Sequence, residues 1–152
     1  KTRVGFNEGA KFIDSCPIAV CKNIRIPRNK VFKGIGTRGK SSMGWFFGFK
    51  LHIIVNERGE LLSFKVTKGN TDDRVPVKEL CKNISGKLML RKRFIIETIN
   101  DQLKNISDIE HSRHRSPINF MVNIVARLIS YTWKDKRPSI TTHESFANAL
   151  AA

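Results

Sequence analysis

The residues with the clearest chemical capacity are cations. From Ser15 to Asn56 the chain has no acidic residue, yet Lys22, Arg25, Arg28, Lys30, Lys33, Arg38, Lys40 and Lys50 all fall there. Most lie in KNIRIPRNKVFKGIGTRGKSSMG, whose Gly, Ser and Pro content predicts a mobile loop. Such a loop binds phosphates without reading sequence, by releasing their counterions. The bland alternative is a solvated basic surface. Within it, Gly34-Ile35-Gly36-Thr37-Arg38-Gly39 spells G-x-G-x-x-G, but Ser41-Ser42-Met43-Gly44 leads into a strand rather than a helix. A dinucleotide site needs strand, turn and helix in that order, which removes this reading. His111 and His114 are spaced for a metal, but no Cys or carboxylate set completes four ligands. Cys16, Cys21 and Cys81 read as buried hydrophobes rather than nucleophiles.

Composition bounds what can position these groups. The chain has 152 residues, the size of one domain, with 28 Lys+Arg against 13 Asp+Glu and a net charge of +15. Its pI is near 10.3. A hydrophobic content of 40%, with ten Phe and two Trp, suffices for a buried core and argues against a disordered basic tail. That much positive charge on a folded chain points to a polyanion, usually nucleic acid. Three Cys without a C-x-x-C pair exclude a disulfide framework or a Cys-rich zinc module and suggest a reducing cytosol. No apolar run reaches the roughly 18–20 residues that span a bilayer, and no signal peptide is visible. The chain starts on Lys1 rather than Met, read as a fragment boundary.

The pattern predicts a mixed α/β order: a strand, a two-stranded hairpin, then three helices. Lys11 to Cys21 is apolar and β-branched, with Pro17 a bend or edge feature. Trp45 to Val55 places Phe47, Phe49, Leu51, Ile53 and Val55 on one face, with His52 on the polar face. Leu61 to Thr67 alternates in the same way, and Asn56-Glu57-Arg58-Gly59-Glu60 turns between the two strands. Asp72 or Asp73 caps a first helix with Pro76 in its opening turn and Val77, Leu80, Cys81 and Ile84 on its packed face, ended by Ser85-Gly86. A second helix runs from about Leu90 to Ile106, with Ile95, Ile99, Leu103 and Ile106 buried and Arg93, Glu97, Asn100/Asp101 and Lys104 on the opposing stripe. A third, from about Pro117 to Lys134, has Asn119, Asn123, Arg127 and Ser130 as its polar strip. Ile118, Met121, Val122, Val125, Leu128, Ile129 and Trp133 are its expected core. The segment from Ile140 to Ala152 is expected to fray. No internal repeat supports a solenoid.

Several stretches together resemble bacterial insertion-sequence transposases of the DDE type. They are Phe12-Ile13-Asp14-Ser15, the run from Lys40 to His52, Thr67 to Arg74, and Arg91 to Lys104, in which R-x3-E-x6-K appears as Arg93, Glu97 and Lys104. Leu90 stands where the family often has Tyr, and Ile109 to Ser116 also looks like this family. The resemblance covers about residue 10 to 140. It implies a ribonuclease H-like mixed sheet flanked by helices, and cut-and-paste DNA chemistry. In that chemistry three carboxylates hold two Mg²⁺ about 3.5–4 Å apart, one activating the nucleophile and one stabilising the leaving oxygen. Asp14 is implied as the first carboxylate and metal ligand, where the residues alone also allow a turn start. Glu97 is implied as the last, where the residues alone also allow an i, i+4 pair with Arg93. Arg93 and Lys104 fit DNA phosphates beside the metals and equally fit a solvated face.

The departure from the family lies at Ser85-Gly86-Lys87-Leu88. There the chain passes straight into the Glu97 helix, and the strand-helix-strand segment bearing the family's second Asp is missing. Asp72 and Asp73 match the family's Gly-Asn-x-x-Asp turn and are not replacements. The expected product is a truncated catalytic domain over residues 1–140 with a frayed tail at 141–152, marginally stable, with the first strand's edge open. It is also expected to be inactive, because losing a central carboxylate unpairs the metal charges. The Ala-Asn-Ala-Leu-Ala-Ala end resembles tails that bacterial unfoldases recognise, although a helical or frayed tail fits as well. Three functions follow: a DDE transposase with a depleted Mg²⁺ site, a basic remnant that binds insertion-sequence ends or mixes with intact transposase, or a product with no selected role. The implied location is the bacterial cytoplasm, at the nucleoid.

Overall fold

The computed structural model describes residues 10–84, 88–89, 93–106, 109–110 and 114–139. The expected tail at 141–152, the Ser85-Gly86 helix end, Leu90 and His111 lie outside the described residues. The elements are β1 (Lys11–Cys21), a 3-10 segment (Asn23–Arg28), β2 (Thr37–Ser41), β3 (Gly44–Asn56), β4 (Leu61–Lys68), α1 (Val77–Leu80), β5 (Leu88–Met89), α2 (Arg93–Asp101, continued by a π-helical stretch at Gln102–Ile106) and α3 (Pro117–Thr132).

β3 organises a mixed sheet, because its 13 residues are long enough to pair along both sides. One side takes β1 antiparallel, from Lys11 opposite Asn56 to Cys21 opposite Phe47. The other side takes β2 against Gly44 to Gly48 and then β4 against Phe49 to Val55. β2 and β4 meet at glycines: a Cβ at Gly39 would lie 2.1 Å from the Gly69 carbonyl oxygen, so any side chain there would part the two strands. β5 adds to the free side of β1 in parallel, opposite Lys11 and Phe12. This is the α/β arrangement expected of a partial ribonuclease H-like fold.

Strand alternation sorts the two faces. Phe12, Cys16 and Ile18 from β1 and Phe47, Leu51, Ile53 and Val55 from β3 are buried in one core with Ile95, Ile96, Ile99 and Leu103 of α2 and Phe120, Ile124, Leu128 and Tyr131 of α3. The opposite face carries Ser15, Lys50 and His52 and is covered by the chain from Gly69 to Ile84, with Leu80 buried.

Six local expectations are corrected. The basic stretch is not simply a loop: it forms the 3-10 segment, anchors itself through buried Phe32, and pairs as β2. Phe32 meets Phe49 and Phe120 edge-on, with ring centroids 5.9 and 5.2 Å apart. The first helix is a single turn, and Asp73 is diverted from capping by Lys50 and Ser15. Leu88–Met89 is a strand, so the described part of the second helix starts at Arg93. The wider turn at Gln102–Ile106 then rotates Ile106 out to 67% exposure, and Ile96 joins Ile95, Ile99 and Leu103 in the core. On α3 the buried stripe is Phe120, Ile124, Leu128 and Tyr131, whereas Ile118, Met121, Val122, Val125, Ile129 and Trp133 are exposed. The two stripes are both apolar at helical spacing, so periodicity alone could not choose between them. His52, expected on a polar face, is buried at 1% exposure.

Pro17 is tolerated inside β1 because its nitrogen faces the side opposite β3. Two residues on, the Ala19 N–H points that way too and donates to Glu110 Oε1 at 3.0 Å. Glu110 and β5 thus cover parts of the edge that the sequence left open. The β3–β4 turn is built by Asn56, whose Oδ1 accepts from the Arg58 and Glu60 N–H groups at 3.0 and 2.9 Å. Gly59 supplies the turn's positive φ of 67°. Its carbonyl accepts from the buried Tyr131 hydroxyl at 2.6 Å, tying the hairpin to the end of α3 across 72 positions. Tyr131→Phe is expected to cost about 1–3 kcal/mol, because it leaves the Gly59 carbonyl without that donor. Urea unfolding measures this, and an unchanged midpoint would show that the bond adds nothing.

Candidate active site and nucleic-acid interface

Asp14 lies on the core-facing side of β1, half-buried, opposite Ile53 of β3. Asn100 of α2 meets it: its Nδ2 donates to Asp14 Oδ2 at 3.2 Å. Asn100 Oδ1 is buried and has no hydrogen-bond partner among the described residues. Glu97 sits one turn earlier on α2, exposed to solvent. The structure therefore brings the Glu97 helix against the Asp14 strand, with an amide rather than a carboxylate at the contact. No cluster of three or more His, Cys, Asp and Glu suited to a metal occurs among the described residues. His114 packs edge-on against Phe120, centroids 5.3 Å apart.

Beside this site Lys104 pairs with Glu110 at 3.4 Å, and the same carboxylate holds the Ala19 N–H. Lys104 is thus a bridge between α2 and β1 in this structure, not a free phosphate ligand. Arg93 opens α2, and its side chain lies outside the described part. Cys16 lies beneath: burial pushes its thiol up to about 12, against the opposing charge of Lys104, so it stays protonated and is no nucleophile.

Sequence reasoning missed the polar network on the other face of the sheet. Ser15 Oγ donates to Asp73 Oδ1 at 2.8 Å, and Lys50 Nζ donates to the same oxygen at 2.9 Å and to the Thr71 carbonyl at 2.9 Å. His52 Nε2 shares a 2.8 Å hydrogen bond with Thr67 Oγ1. Lys65 pairs with Glu79 of the one-turn helix. The only sequence signal was Asp73 itself, and a helix cap was the simpler reading. Burial would raise the Asp73 carboxyl, but the hydrogen bonds from Lys50 and Ser15 and the Lys50 charge outweigh it, holding the group below the usual carboxylate range. Burial pulls the His52 imidazole below its ordinary value, with Lys50 and Lys65 acting the same way and Asp73 against.

The basic residues line three open clefts. Arg25, Arg28 and Lys30 edge one of about 480 Å³ with Cys21, Asn29 and Val31. Arg38 edges one of about 370 Å³ with Asn23, Ile26, Trp45 and Phe46. Lys40 and Lys50 edge one of about 440 Å³ that continues over Asn70, Asp72, Asp73 and Arg74. Lys33 is exposed on the turn between the 3-10 segment and β2. Trp45 is 64% exposed beside this surface, with the Lys40 ammonium 5.9 Å from its ring centre. An exposed Trp among cations has the chemistry of a base-stacking surface, which the strand pattern concealed.

The family model for the transposase DDE domain matches residues 4–89 and 86–117. The chain belongs to that family. No curated protein and no solved structure matches it significantly. The two matched stretches of this transposase domain meet at 86–89, where the missing strand-helix-strand segment was located from sequence. Among its described residues, no helix is long and apolar enough to cross a membrane.

Both pKa shifts act on stability with one sign. The unfolded chain protonates His52 near pH 6.5 and Asp73 near 3.9, while the folded domain holds each proton only at lower pH. The unfolded state therefore binds more protons, and stability falls with acidification. The His52 contribution is complete above about pH 6.5 and declines below it. The Asp73 contribution is complete above about pH 4 and is lost as pH falls through its folded value. With Asp73 60% exposed, its ion pair is worth at most about 1 kcal/mol. The Tm is expected to drop in two stages, the first removed by His52→Gln and the second reduced by Asp73→Asn. A Tm that stays flat between pH 7 and 5 would contradict the His52 assignment.

Proposed function

We propose that this transposase domain derives from a Mg²⁺-dependent DNA cleavage and strand-transfer unit, retains binding to insertion-sequence DNA, and no longer performs the transfer. Residues 1–140 make up the catalytic-domain remnant and 141–152 its tail, acting in the bacterial cytoplasm at the nucleoid. Asp14 and Glu97 are the remaining ligands. What supports this reading is the contact at Asp14, where α2 presents Asn100 rather than a second carboxylate. β5, the strand beside β1, has the sequence Leu88–Met89 and brings no Asp there either.

Two carboxylates do not fit the three-carboxylate, two-cation arrangement, so no in-line displacement follows from these residues. They do fit a single hard cation, for which Asp14 and Glu97 supply oxygen donors and which would supply local charge against a phosphate. The chain's own contribution is to bind and position. Arg25, Arg28, Lys30, Lys33, Arg38 and Lys40 line one basic surface for the DNA backbone, with Trp45 able to stack on an unpaired base. Arg93 and Lys104 bracket Glu97, and Lys104 reaches a phosphate only by leaving Glu110.

Six phosphate contacts give an affinity that falls with salt at a log–log slope of about −5. Changing Arg25, Arg28 and Lys30 together to Ala is expected to bring that slope closer to zero by about three. A slope near zero for the unmodified domain would remove the DNA-binding reading. Formation of joined products from element ends and Mg²⁺ would remove the inactive one.

Self-association, or mixing with an intact transposase, fits the exposed apolar stripe on α3. That helix has one charged residue, Arg127, so a chain of net charge +15 meets little repulsion along it. Ile129→Lys puts a charge on this stripe without touching the core. Sedimentation equilibrium is expected to show a concentration-dependent dimer for the wild type and a monomer for the variant; monomer for both refutes this surface.

A further inference from the structure

The Asp14–Asn100 contact joins the two elements that bear the proposed ligands, and the amide at that contact is only half satisfied. Its Nδ2 is committed to Asp14 Oδ2 at 3.2 Å, while its Oδ1 is buried with no hydrogen-bond partner among the described residues. A buried carbonyl oxygen without a donor is uncommon in a native fold and calls for an occupant or a functional reason. Here it belongs to the side chain that grips the site carboxylate, one helical turn from Glu97. Asp14 stands on a strand and Glu97 on a helix, and the hydrogen bond fixes which way the strand carboxylate faces.

We propose that Asn100 is a positioning residue for Asp14: it orients the Oδ2 edge of that carboxylate toward the Glu97 turn and leaves a neutral oxygen at the same place. The proposal rests on the reading of Asp14 and Glu97 as cation ligands. The amide donates to the carboxylate without adding negative charge, so the edifice of strand and helix stays closed with no cation present. A carboxylate at position 100 would repel Asp14 until a cation joined the two.

The full 152-residue chain, titrated with Mn²⁺ as a paramagnetic probe and followed by water-proton relaxation and by Mn²⁺-dependent Tm, tests this. Asp14→Asn is expected to abolish the signal. Asn100→Ala is expected to weaken Mn²⁺ affinity about tenfold or more, as loss of a residue that orients a metal ligand does. Asn100→Leu, of nearly the same shape but with no donor and no charge, is expected to weaken it to the same degree and to shrink the Mn²⁺-dependent rise in Tm. A purely structural tie between α2 and β1 predicts instead a lower Tm without Mn²⁺ and an unchanged Mn²⁺ affinity. If Asp14→Asn lowers affinity while Asn100→Leu leaves it unchanged, the positioning role is overturned and the ligand reading stands. If Asp14→Asn changes nothing, the ligand reading falls and this proposal with it. Should Asn100→Ala fail to fold, the near-isosteric Asn100→Leu decides alone.

Discussion

β1 has a long antiparallel partner on one side and, among the described residues, a two-residue strand on the other. The rest of the domain depends on that asymmetry. The β3 ladder fixes the register of β1, and register decides which side chains face α2: Phe12, Asp14, Cys16 and Ile18 on that side, Ser15 on the other. A slip by one residue would bury Ser15 against α2 and expose Phe12. The ladder therefore places the carboxylate as surely as it places the core, and it does so without needing the strands that the family has beyond β1. On the weaker side the exposed backbone is handled locally. β5 covers Lys11 and Phe12, Pro17 has no donor to satisfy, and Glu110 accepts from Ala19. These are the means by which proteins blunt an edge strand.

Legibility in the sequence followed how local the determining physics is. The β3–β4 hairpin was readable because strict alternation and an Asn-x-x-Gly turn each specify it without help from distant residues. β2 was not, since Thr-Arg-Gly-Lys-Ser has neither alternation nor apolar content; it is a strand because β3 offers it a ladder and Gly39 fits beside Gly69. On α3 the chain displays two apolar stripes and only tertiary contact picks one, so the face with Phe120 and Tyr131 wins over the one with Ile118 and Trp133. The site divided in the same way. Asp14 and Glu97 stood out through motif context, while Asn100, Glu110 and Asp73 act through contacts spanning 86, 91 and 58 positions. No spacing rule reaches that far.

The two faces of the sheet carry different electrostatic logic. On the α2 side a buried thiol, a half-buried carboxylate and an amide lie together, and the one described cation there, Lys104, is tied to Glu110. On the other side Lys50, Asp73, Ser15 and His52 form a network whose charges cancel at close range. Neither region contributes to the excess of +15. Seven cations with no acidic residue among them, from Lys22 to Lys40, lie on and between the 3-10 segment and β2, along the far end of β3 from the β4 turn. The basic surface and the carboxylate site are therefore separable: one is built on the β2–β3 hairpin, the other on the β1–α2 contact.

Separability means that the proposed loss of catalysis need not carry the proposed phosphate binding with it. Phosphate binding sums many similar terms, so removing a strand that carries few cations changes affinity by a small step. A metal-assisted displacement has no such gradation. The cations must neutralise the attacked phosphate and align both oxygens at once, and a missing carboxylate leaves an uncompensated charge at the place where compensation matters most. Under the proposed function, deleting the strand next to β1 would remove a central ligand and leave the β2–β3 hairpin, its clefts and its Trp45 intact, because β2 pairs with the side of β3 away from β1. Under the proposed function, affinity for a polyanion outlasts catalysis because the first is distributed over a hairpin and the second is concentrated at a single strand-helix contact.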